Sequence, residues 1–388
     1  MHDAKVVAVP PGRWTHTLVA PSILCSESGP GSTHLDGCQR ILRVFFELLM
    51  RVLITGGTGF LGHWVAHAFV EAGQSVRLLV RKSPPDELTR GKVLVSHGDI
   101  LDFTALTQAL RDVDAVVHSA GLVSLSIRER ARLERVNVVG TRNVLRAAAQ
   151  RGLPVLHTSS IATLGYTAVP EPQTETCFMS QAQASEFAYA DSKLRAEKLV
   201  LRAAARGQPV ISLNPGLLLG PGDHQLHSTR PVLQYLLRQM RMCLTGGISV
   251  ADVRDVAAVY PVALQRATSE QRYLLGGVNL TYTELFSRLA RITGLPAAHA
   301  IPHSWGRVWG AWSELAAGMA AHPLEELNTV SIKYGSMYNY CSSALAEDSL
   351  GYSRRDLDLT LRDTVIDHVQ RGVAQASTPR LRQLLKAD

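Results

Sequence analysis

A tyrosine and a lysine four residues apart, Tyr189 and Lys193, stand near the start of a segment of helical period that runs to Gly207. Residues at i and i+4 share one face of a helix, so the phenol and the ammonium are expected to lie together. A phenol has a pKa of about 10, and a nearby ammonium favours the phenolate and lowers that pKa. The pair therefore predicts proton exchange with a substrate oxygen. Ser160 follows a predicted strand, where its hydroxyl can hold the same oxygen beside the tyrosine.

A second motif consists of three glycines at three-residue spacing, Gly56, Gly59 and Gly62. An apolar, strand-like run precedes them and a segment of helical period follows. In this order the first glycine permits a tight turn, the second lets the backbone approach a pyrophosphate, and the third allows the helix to pack closely on the strand. The helix N-terminus offers free N–H groups to the phosphates. The motif predicts a dinucleotide-binding turn.

The type of dinucleotide is indicated at the ends of the next two predicted strands. Arg81 stands at the end of the second strand, beside the expected adenosine ribose, where a base accommodates a 2′-phosphate and an acid would bind the 2′-hydroxyl. Arg81 therefore favours NADP, with NAD left open. Asp99 ends the third predicted strand, where its carboxylate either accepts a hydrogen bond from the adenine amino group or caps a helix.

Alternating strands and helices must position these residues. The predicted strands cover 51–55, 76–81, 92–98, 114–119, 154–159 and 209–214. The predicted helices between them lie near 60–72, 103–111, 128–150 and 187–206. This alternation implies an α/β fold with a doubly wound, parallel sheet of Rossmann type.

After Gly216 the pattern changes to a smaller, mostly helical C-terminal part. One strand is predicted at 272–275, with helices near 230–241, 282–292, 304–320, 343–349 and 359–372. We expect residues 50–215 to form an NADP-binding Rossmann domain and residues 216–372 to form mainly the substrate-binding region, with some segments returning to the Rossmann core. Residues 1–49 have no sustained period and are interpreted as a disordered extension or an over-called translation start, and residues 373–388 as a basic tail.

Composition narrows the class of protein. The 388 residues are 46% hydrophobic and 19% charged, which is typical of a globular chain, and the net charge is +7. Basic residues do not form a dense cluster with interleaved aromatic residues, so we expect a small-molecule ligand and no nucleic acid. Five cysteines without CxxC spacing indicate reduced thiols in a cytoplasmic protein and no metal site. No apolar run reaches the length of about eighteen residues that a membrane span needs.

These motifs resemble the extended short-chain dehydrogenases/reductases, in the NAD-dependent epimerase/dehydratase superfamily, and most of all their dihydroflavonol 4-reductase-like branch. The resemblance covers Met50 to about residue 372. It rests on TGGTGFLG at 55–62, GDILD at 98–102 and NVVGT at 137–141, together with the serine, tyrosine and lysine described above. Asn214 departs from the pattern, because the family usually has arginine before the Pro-Gly pair at 215–216.

The resemblance implies roles for individual residues. Ser160, Tyr189 and Lys193 would be catalytic, and the lysine would also hold the nicotinamide ribose. Cofactor contacts would come from Gly56, Gly59, Phe60, Leu61, Gly62, Arg81, Asp99, Ile100, Ser119, Ala120, Tyr189, Lys193, Pro215 and Gly216. A homodimer through a two-helix face is common in the family and is left open here.

The main hypothesis is an NADP-dependent oxidoreductase that reduces a ketone or an aldehyde to an alcohol, with Tyr189 as the proton donor. A nucleotide-sugar epimerase or dehydratase with bound NAD would use the same three catalytic residues. A 3β-hydroxysteroid dehydrogenase-like enzyme and a non-catalytic NADP-sensing protein are further alternatives. His118 and His157 lie on predicted strands and are expected to be packed in the core or adjacent to the cofactor.

Overall fold

The computed structural model describes residues 50–83, 93–124, 126–267, 271–300 and 333–386, so the predictions for 1–49 and for a helix at 304–320 lie outside the described residues. The strands of the main sheet are β1 (Arg51–Thr55), β2 (Ser75–Val80), β3 (Val93–His97), β4 (Ala115–His118), β5 (Val155–Thr158), β6 (Val210–Pro215) and β10 (Arg272–Leu275). They are all parallel, in the order β10-β6-β5-β4-β1-β2-β3. The structure confirms the predicted doubly wound sheet.

Helices cover both faces of this sheet. The first three are α1 (Phe60–Glu71), α2 (Phe103–Ala109) and α3, in which Arg130–Leu133, the π-helical turn Glu134–Val139 and Gly140–Ala149 follow one another without a break. The next are α4 (Gln181–Glu186), α5 (Ala188–Ala204), α6 (Arg230–Leu236) and α7 (Val253–Arg266). The last are α8 (Tyr282–Thr293), α9 (Ala344–Leu350), α10 (Leu357–Gln370) and α11 (Pro379–Leu384). No helix in the described ranges combines the length and the apolar character that crossing a bilayer requires.

The sheet is buried because its strands are apolar on both faces, as parallel sheets require. Val52 and Ile54 of β1 pack with Phe69 of α1 on one face. Leu53, between them, packs with Val144 of α3 on the other face. Each face therefore has its own hydrophobic core, and together the two cores fix the strand ends at which the motifs lie.

Beyond residue 216 the structure differs from the mostly helical prediction. It adds the strands β7 (Leu217–Leu219), β8 (Met242–Cys243), β9 (Gly247–Asp252), β11 (Val278–Thr281), β12 (His299–Ala300) and β13 (Tyr338–Asn339). A small second sheet has the order β11-β9-β13, with β7 also paired to β9, and β12 pairs with β8. Four of these six strands span only two or three residues, which is too short to show a period in the sequence.

The later segments divide between two places. Strand β10 joins the main sheet beside β6, and α7 packs against α1. Helices α8, α10 and α11 pack into a second apolar cluster that includes Phe286, Leu361 and Leu381. Helix α11 lies in the range interpreted as a basic tail, and its Leu381 is buried.

Candidate active site

The glycine turn leaves an open cradle between β1 and α1. Gly56 has a φ of +75°, which L side chains rarely adopt, and a Cβ added there would lie 2.5 Å from the backbone nitrogen of Ala120. A Cβ added at Gly62 would overlap the carbonyl oxygen of Gly56. Gly59 precedes α1 and supplies no side-chain cap to its first turn. The free N–H groups and the bare backbone fit the pyrophosphate of a dinucleotide.

Arg81 directly follows β2 and is exposed. Leu79 of β2 is paired with Thr55 of β1, the residue before the glycine turn, so Arg81 lies at the same end of the sheet as that turn. The side chain of Asp99 accepts a hydrogen bond from the backbone nitrogen of Leu101 at 2.9 Å. The cap of α2 is Asp102 instead, which accepts hydrogen bonds from two backbone nitrogens of the first turn, each at 3.0 Å. The helix-cap interpretation of Asp99 is therefore wrong.

Ser160 lies at the carboxyl end of β5 and begins the short 3₁₀ helix Ile161–Leu164. Its Oγ accepts a hydrogen bond from the backbone nitrogen of Ala162 at 3.2 Å and forms a side-chain hydrogen bond with Tyr189. The structure thus brings the serine and the tyrosine together across 29 residues of sequence. The serine is both a cap and a neighbour of the phenol, so the two interpretations of it are compatible.

Tyr189 and Lys193 lie one turn apart on α5, as the spacing predicts. Lys193 is buried, and its Nζ donates a hydrogen bond to the carbonyl oxygen of Thr158 at 3.0 Å. Burial lowers the pKa of Lys193 to about 8, while the carboxylate of Glu197 opposes the shift. Burial raises the pKa of Tyr189, and the hydrogen bond to Ser160 opposes that rise. The structure differs here from the expected lowering, because desolvation of the phenolate dominates and the ammonium is directed at Thr158.

The π-helical turn of α3 places Asn137 behind the lysine. The Asn137 side chain accepts a hydrogen bond from the backbone nitrogen of Leu122 at 2.7 Å and donates to its carbonyl oxygen at 3.0 Å. It also donates to Ser192 Oγ on α5 at 2.9 Å. A Cβ added at Gly121 would lie 3.2 Å from Lys193 Nζ, so the loop passes close to the ammonium. Asn137 therefore fixes this loop against the helix that carries Tyr189 and Lys193.

A buried charged network lies under Ser160. Glu197 of α5 is fully buried and forms an ion pair with Arg272 of β10 at 2.9 Å. Asn214 of β6 donates to Glu197 at 2.8 Å and to the carbonyl oxygen of Ser160 at 3.2 Å. Arg272 also donates to Thr163 Oγ1 at 3.0 Å. The network joins α5, β6 and β10 to the turn that holds the serine.

The sequence pattern did not reveal the roles of Glu197 and Arg272. Two signals were present: an arginine in the apolar strand Arg272–Leu275, and an acid four residues after Lys193. Their pairing was not visible because 75 positions separate them.

One cavity joins the glycine turn to these side chains and has a volume of ≈ 610 Å³. Of the predicted site residues, its lining includes Gly56, Gly59, Phe60, Leu61, Gly62, Ser119, Ser160, Tyr189, Lys193, Pro215 and Gly216. Arg81, Asp99, Ile100 and Ala120 are not part of this lining. Ile100 is buried, with its side chain against Gly140, and Ala120 backs the turn at Gly56.

The far side of the cavity is aromatic. The rings of Tyr166 and Tyr334 have centroids 4.8 Å apart, and Phe187 stacks on Tyr334 at 5.7 Å. Phe187 lies 6.2 Å from the ring of Tyr189, and Tyr282 also lines the cavity. The described residues contain no group of three or more His, Cys, Asp or Glu side chains that could hold a metal ion. The cavity thus leads from a nucleotide cradle past the phenol to an aromatic wall.

A glycine turn after the first strand of a doubly wound sheet, open to a tyrosine and a buried lysine, defines a dinucleotide-binding oxidoreductase. A model of the NAD dependent epimerase/dehydratase family matches residues 52–276, more than half of the chain. The chain therefore belongs to this family and is an NAD(P)-dependent oxidoreductase of the short-chain dehydrogenase/reductase type.

Individual relatives agree with this assignment. The chain is 34% identical over 321 residues to a Synechocystis sp. protein named "Putative dihydroflavonol 4-reductase", a match that covers 80% of this chain and 92% of the relative. It is 30% identical over 259 residues to cinnamoyl-CoA reductase 1 of Oryza sativa subsp. japonica, covering 62% of this chain and 75% of the relative. The crystal structure of gox2253 superposes with a TM-score of 0.73 at 30% identity, covering 84% of this chain and 99% of that one.

Proposed function

We propose that the protein reduces a ketone or an aldehyde to an alcohol with NADPH as the hydride donor. The observation that carries this proposal is the single cavity that connects the glycine turn to Ser160, Tyr189 and Lys193. The reductase names of the similar proteins support the same class of reaction.

In this proposal each side chain has a separate task. The Oγ of Ser160 accepts from a backbone nitrogen and lies beside the Tyr189 phenol, so its hydroxyl hydrogen would turn from the phenol to the substrate oxygen. Tyr189 donates a proton to that oxygen as the alcohol forms. The raised pKa of Tyr189 keeps the phenol protonated near neutral pH, which is the state a proton donor needs. The nicotinamide supplies the hydride when it is bound.

The cofactor would be held along the cradle. The pyrophosphate would lie against the backbone of Gly56, Gly59 and Gly62, with Phe60 and Leu61 beside it. Asp99 and Ile100 would lie towards the adenine, and Ser119 and Ala120 next to the turn. Lys193 would hold the nicotinamide ribose, with Pro215 and Gly216 near the ring. These contacts are proposed from the cavity lining and from the resemblance of the motifs.

The substrate would be an apolar carbonyl compound with a flat group. The ring of Phe187 lies between those of Tyr189 and Tyr334, so a flat group next to the reacting carbonyl would contact an aromatic wall. Glu186 also lines the cavity, but its carboxylate is paired with Lys333 at 2.6 Å and accepts from Tyr334. The wall therefore offers apolar contacts more than charge.

The three cysteines in the described ranges form no disulfide. This supports our proposal that the protein works in the reducing environment of the cytoplasm.

The test is the turnover of Tyr189→Phe with a panel of aryl ketones, aldehydes and aliphatic ketones. We expect the variant to lose at least about 100-fold in kcat, since general acid catalysis contributes about 10²–10⁴-fold. NADPH binding, followed by quenching of protein fluorescence, should remain close to that of the wild type. Unchanged turnover would refute the assignment of Tyr189. A tightly bound NAD that copurifies with the wild-type protein would favour a nucleotide-sugar epimerase or dehydratase instead.

A further inference from the structure

Helices α3 and α5 lie side by side and expose almost nothing but basic side chains. The exposed positions of α3 are arginines or alanines, namely Ala131, Arg132, Arg135, Arg142, Arg146 and Ala149. The exposed positions of α5 are Arg195, Lys198 and Arg202. Arg128, before α3, and Arg206, after α5, are exposed as well. We call these exposed basic residues the basic face.

The two helices form one continuous surface. They pack against each other, and Arg195 of α5 forms an ion pair with Glu134 of α3 at 2.6 Å. Arg130 of α3 reaches Asp191 of α5 at 3.4 Å. A helix of about 20 residues is about 30 Å long, so the basic face is broad and elongated.

The charge of the chain is concentrated here. Apart from the buried Lys193 and Glu197, the segments 128–151 and 188–206 hold eleven basic and three acidic residues. This excess of eight is larger than the net charge of +7 of the whole chain. The three acids, Glu129, Glu134 and Asp191, are each paired with an arginine of the same two segments. The sequence does not show this concentration as a cluster, because 36 residues separate the two segments.

An apolar depression borders the basic face. It is lined by Phe178, Leu201 and Ala205, together with Lys198 and Arg202. Phe178 is 44% exposed, and the guanidinium carbon of Arg272 lies 4.0 Å from the centroid of its ring. Basic side chains beside exposed apolar ones are the combination by which proteins bind to the surface of an anionic bilayer.

We propose that the basic face binds the anionic headgroups of a phospholipid membrane surface, with Phe178 and Leu201 in contact with the lipid at its edge. Arginine predominates over lysine in this face, and the planar guanidinium matches phosphate in a bidentate manner. A bilayer presents phosphates in a plane, and a surface of two parallel helices can contact many of them at once.

Two other occupants fit less well. The major groove of duplex DNA is about 12 Å wide and admits one helix of about 10–12 Å, so two helices side by side cannot enter it. In a dimer with a twofold axis through this surface, the basic faces of the two copies would meet, and their arginines would repel each other. The two-helix homodimer that the family resemblance left open is therefore disfavoured for this chain.

The experiment is flotation of the full-length protein with vesicles of phosphatidylcholine alone and of an equimolar mixture of phosphatidylcholine and phosphatidylglycerol. We expect binding to the anionic vesicles only. Raising the ionic strength from about 0.1 M to about 1 M should release the protein, because the screening length falls from about 10 Å to about 3 Å.

The decisive variant is R142Q/K198Q/R202Q, which removes three basic side chains of the face. Each basic side chain near an anionic surface contributes about 1 kcal/mol, a factor of about five, so we expect binding to weaken by about 100-fold. The matched control is R266Q/R380Q/K386Q, which removes the same charge from exposed positions on other parts of the chain and should bind almost as the wild type does. Both variants should keep the turnover of a water-soluble carbonyl substrate, so this test is independent of the proposed reaction.

Three results would overturn the proposal. The first is the absence of binding to the anionic vesicles. The second is an equal loss of binding in both triple variants, which would reflect net charge alone. The third is retention on duplex DNA, or a dimer in sedimentation that R142Q/K198Q/R202Q dissociates, without any binding to vesicles.

Discussion

We propose that the choice between NADP and NAD depends on the exposed side chain of Arg81. It directly follows β2, at the edge of the glycine turn, where a 2′-phosphate of the adenosine ribose would lie. A hydrogen bond to a charged group contributes about 1.5–3 kcal/mol, or about 10–150-fold in affinity. We therefore expect Arg81→Ala to raise the KM for NADPH by at least about ten-fold, with little change for NADH. Steady-state kinetics with both cofactors measure this.

The matched control is Arg266→Ala, which removes an exposed arginine at the end of α7. It should leave both KM values unchanged. A wild-type enzyme that prefers NADH, or an Arg81→Ala variant that loses both cofactors equally, would contradict the assignment of Arg81 to the 2′-phosphate.

At the scale of elements, the ion pair between Arg272 and Glu197 connects β10 to α5, the helix that carries Tyr189 and Lys193. Both side chains are almost completely buried, and breaking such a pair leaves an uncompensated charge that costs about 3–5 kcal/mol. We expect Arg272→Met to lower the free energy of unfolding by about this amount, measured by urea denaturation. The double variant with Glu197→Gln should recover at least about 1 kcal/mol of the loss, because the orphaned carboxylate is removed.

Since Asn214 connects Glu197 to the backbone of Ser160, kcat should also fall in Arg272→Met. Two results would argue against this role. The first is a loss of stability in the double variant that equals the sum of the losses in the two single variants. The second is an unchanged kcat in Arg272→Met. Lys198→Gln is the control, since it removes an exposed cation from the solvent-facing side of the same helix.

The sequence predicted some elements well and others poorly, for physical reasons. The seven strands of the main sheet lie within one residue of predicted ranges, because buried parallel strands are unbroken apolar runs such as Val52 to Ile54. The spacing of Tyr189 and Lys193 likewise predicted their shared helix face. The π-helical turn at Glu134–Val139 has no comparable signal, and the position of Asn137 depends on it. The basic face and the ion pair of Arg272 depend on residues distant in sequence that only the tertiary fold brings together.

The whole molecule encloses two histidines at the centre of its main sheet. His118 of β4 and His157 of β5 are directly paired in register, and both side chains are buried. His118 is hydrogen-bonded to Thr55 at 2.8 Å and to Thr141 at 2.9 Å. Because the Thr141 hydroxyl donates to the carbonyl oxygen of Asn137, His118 must donate from Nε2 and accept at Nδ1. The neutral ring in this tautomer links the glycine turn to the helix of Asn137.

The neutral state of these rings makes the stability of the fold depend on pH. Burial lowers the pKa of His118 to about 3, and burial also lowers the pKa of His157 well below its ordinary value of 6.5. Between these folded values and 6.5 the unfolded chain binds protons that the folded chain does not, so stability is complete above pH 6.5 and falls as the pH decreases. From about pH 7 to about pH 5 we expect each histidine to lower the free energy of unfolding by about 2 kcal/mol. Urea denaturation at the two pH values measures the loss.

The variant His157→Met separates this effect from general acid denaturation. Neither ring nitrogen of His157 has a hydrogen-bond partner among the described residues, so an apolar side chain of similar size should be tolerated there. The difference in stability between pH 7 and pH 5 should shrink by about 2 kcal/mol in this variant. His299→Gln, at an exposed position on β12, should leave the difference unchanged. If His157→Met loses as much stability at the lower pH as the wild type does, the buried ring is not kept neutral, and the protons responsible must bind elsewhere.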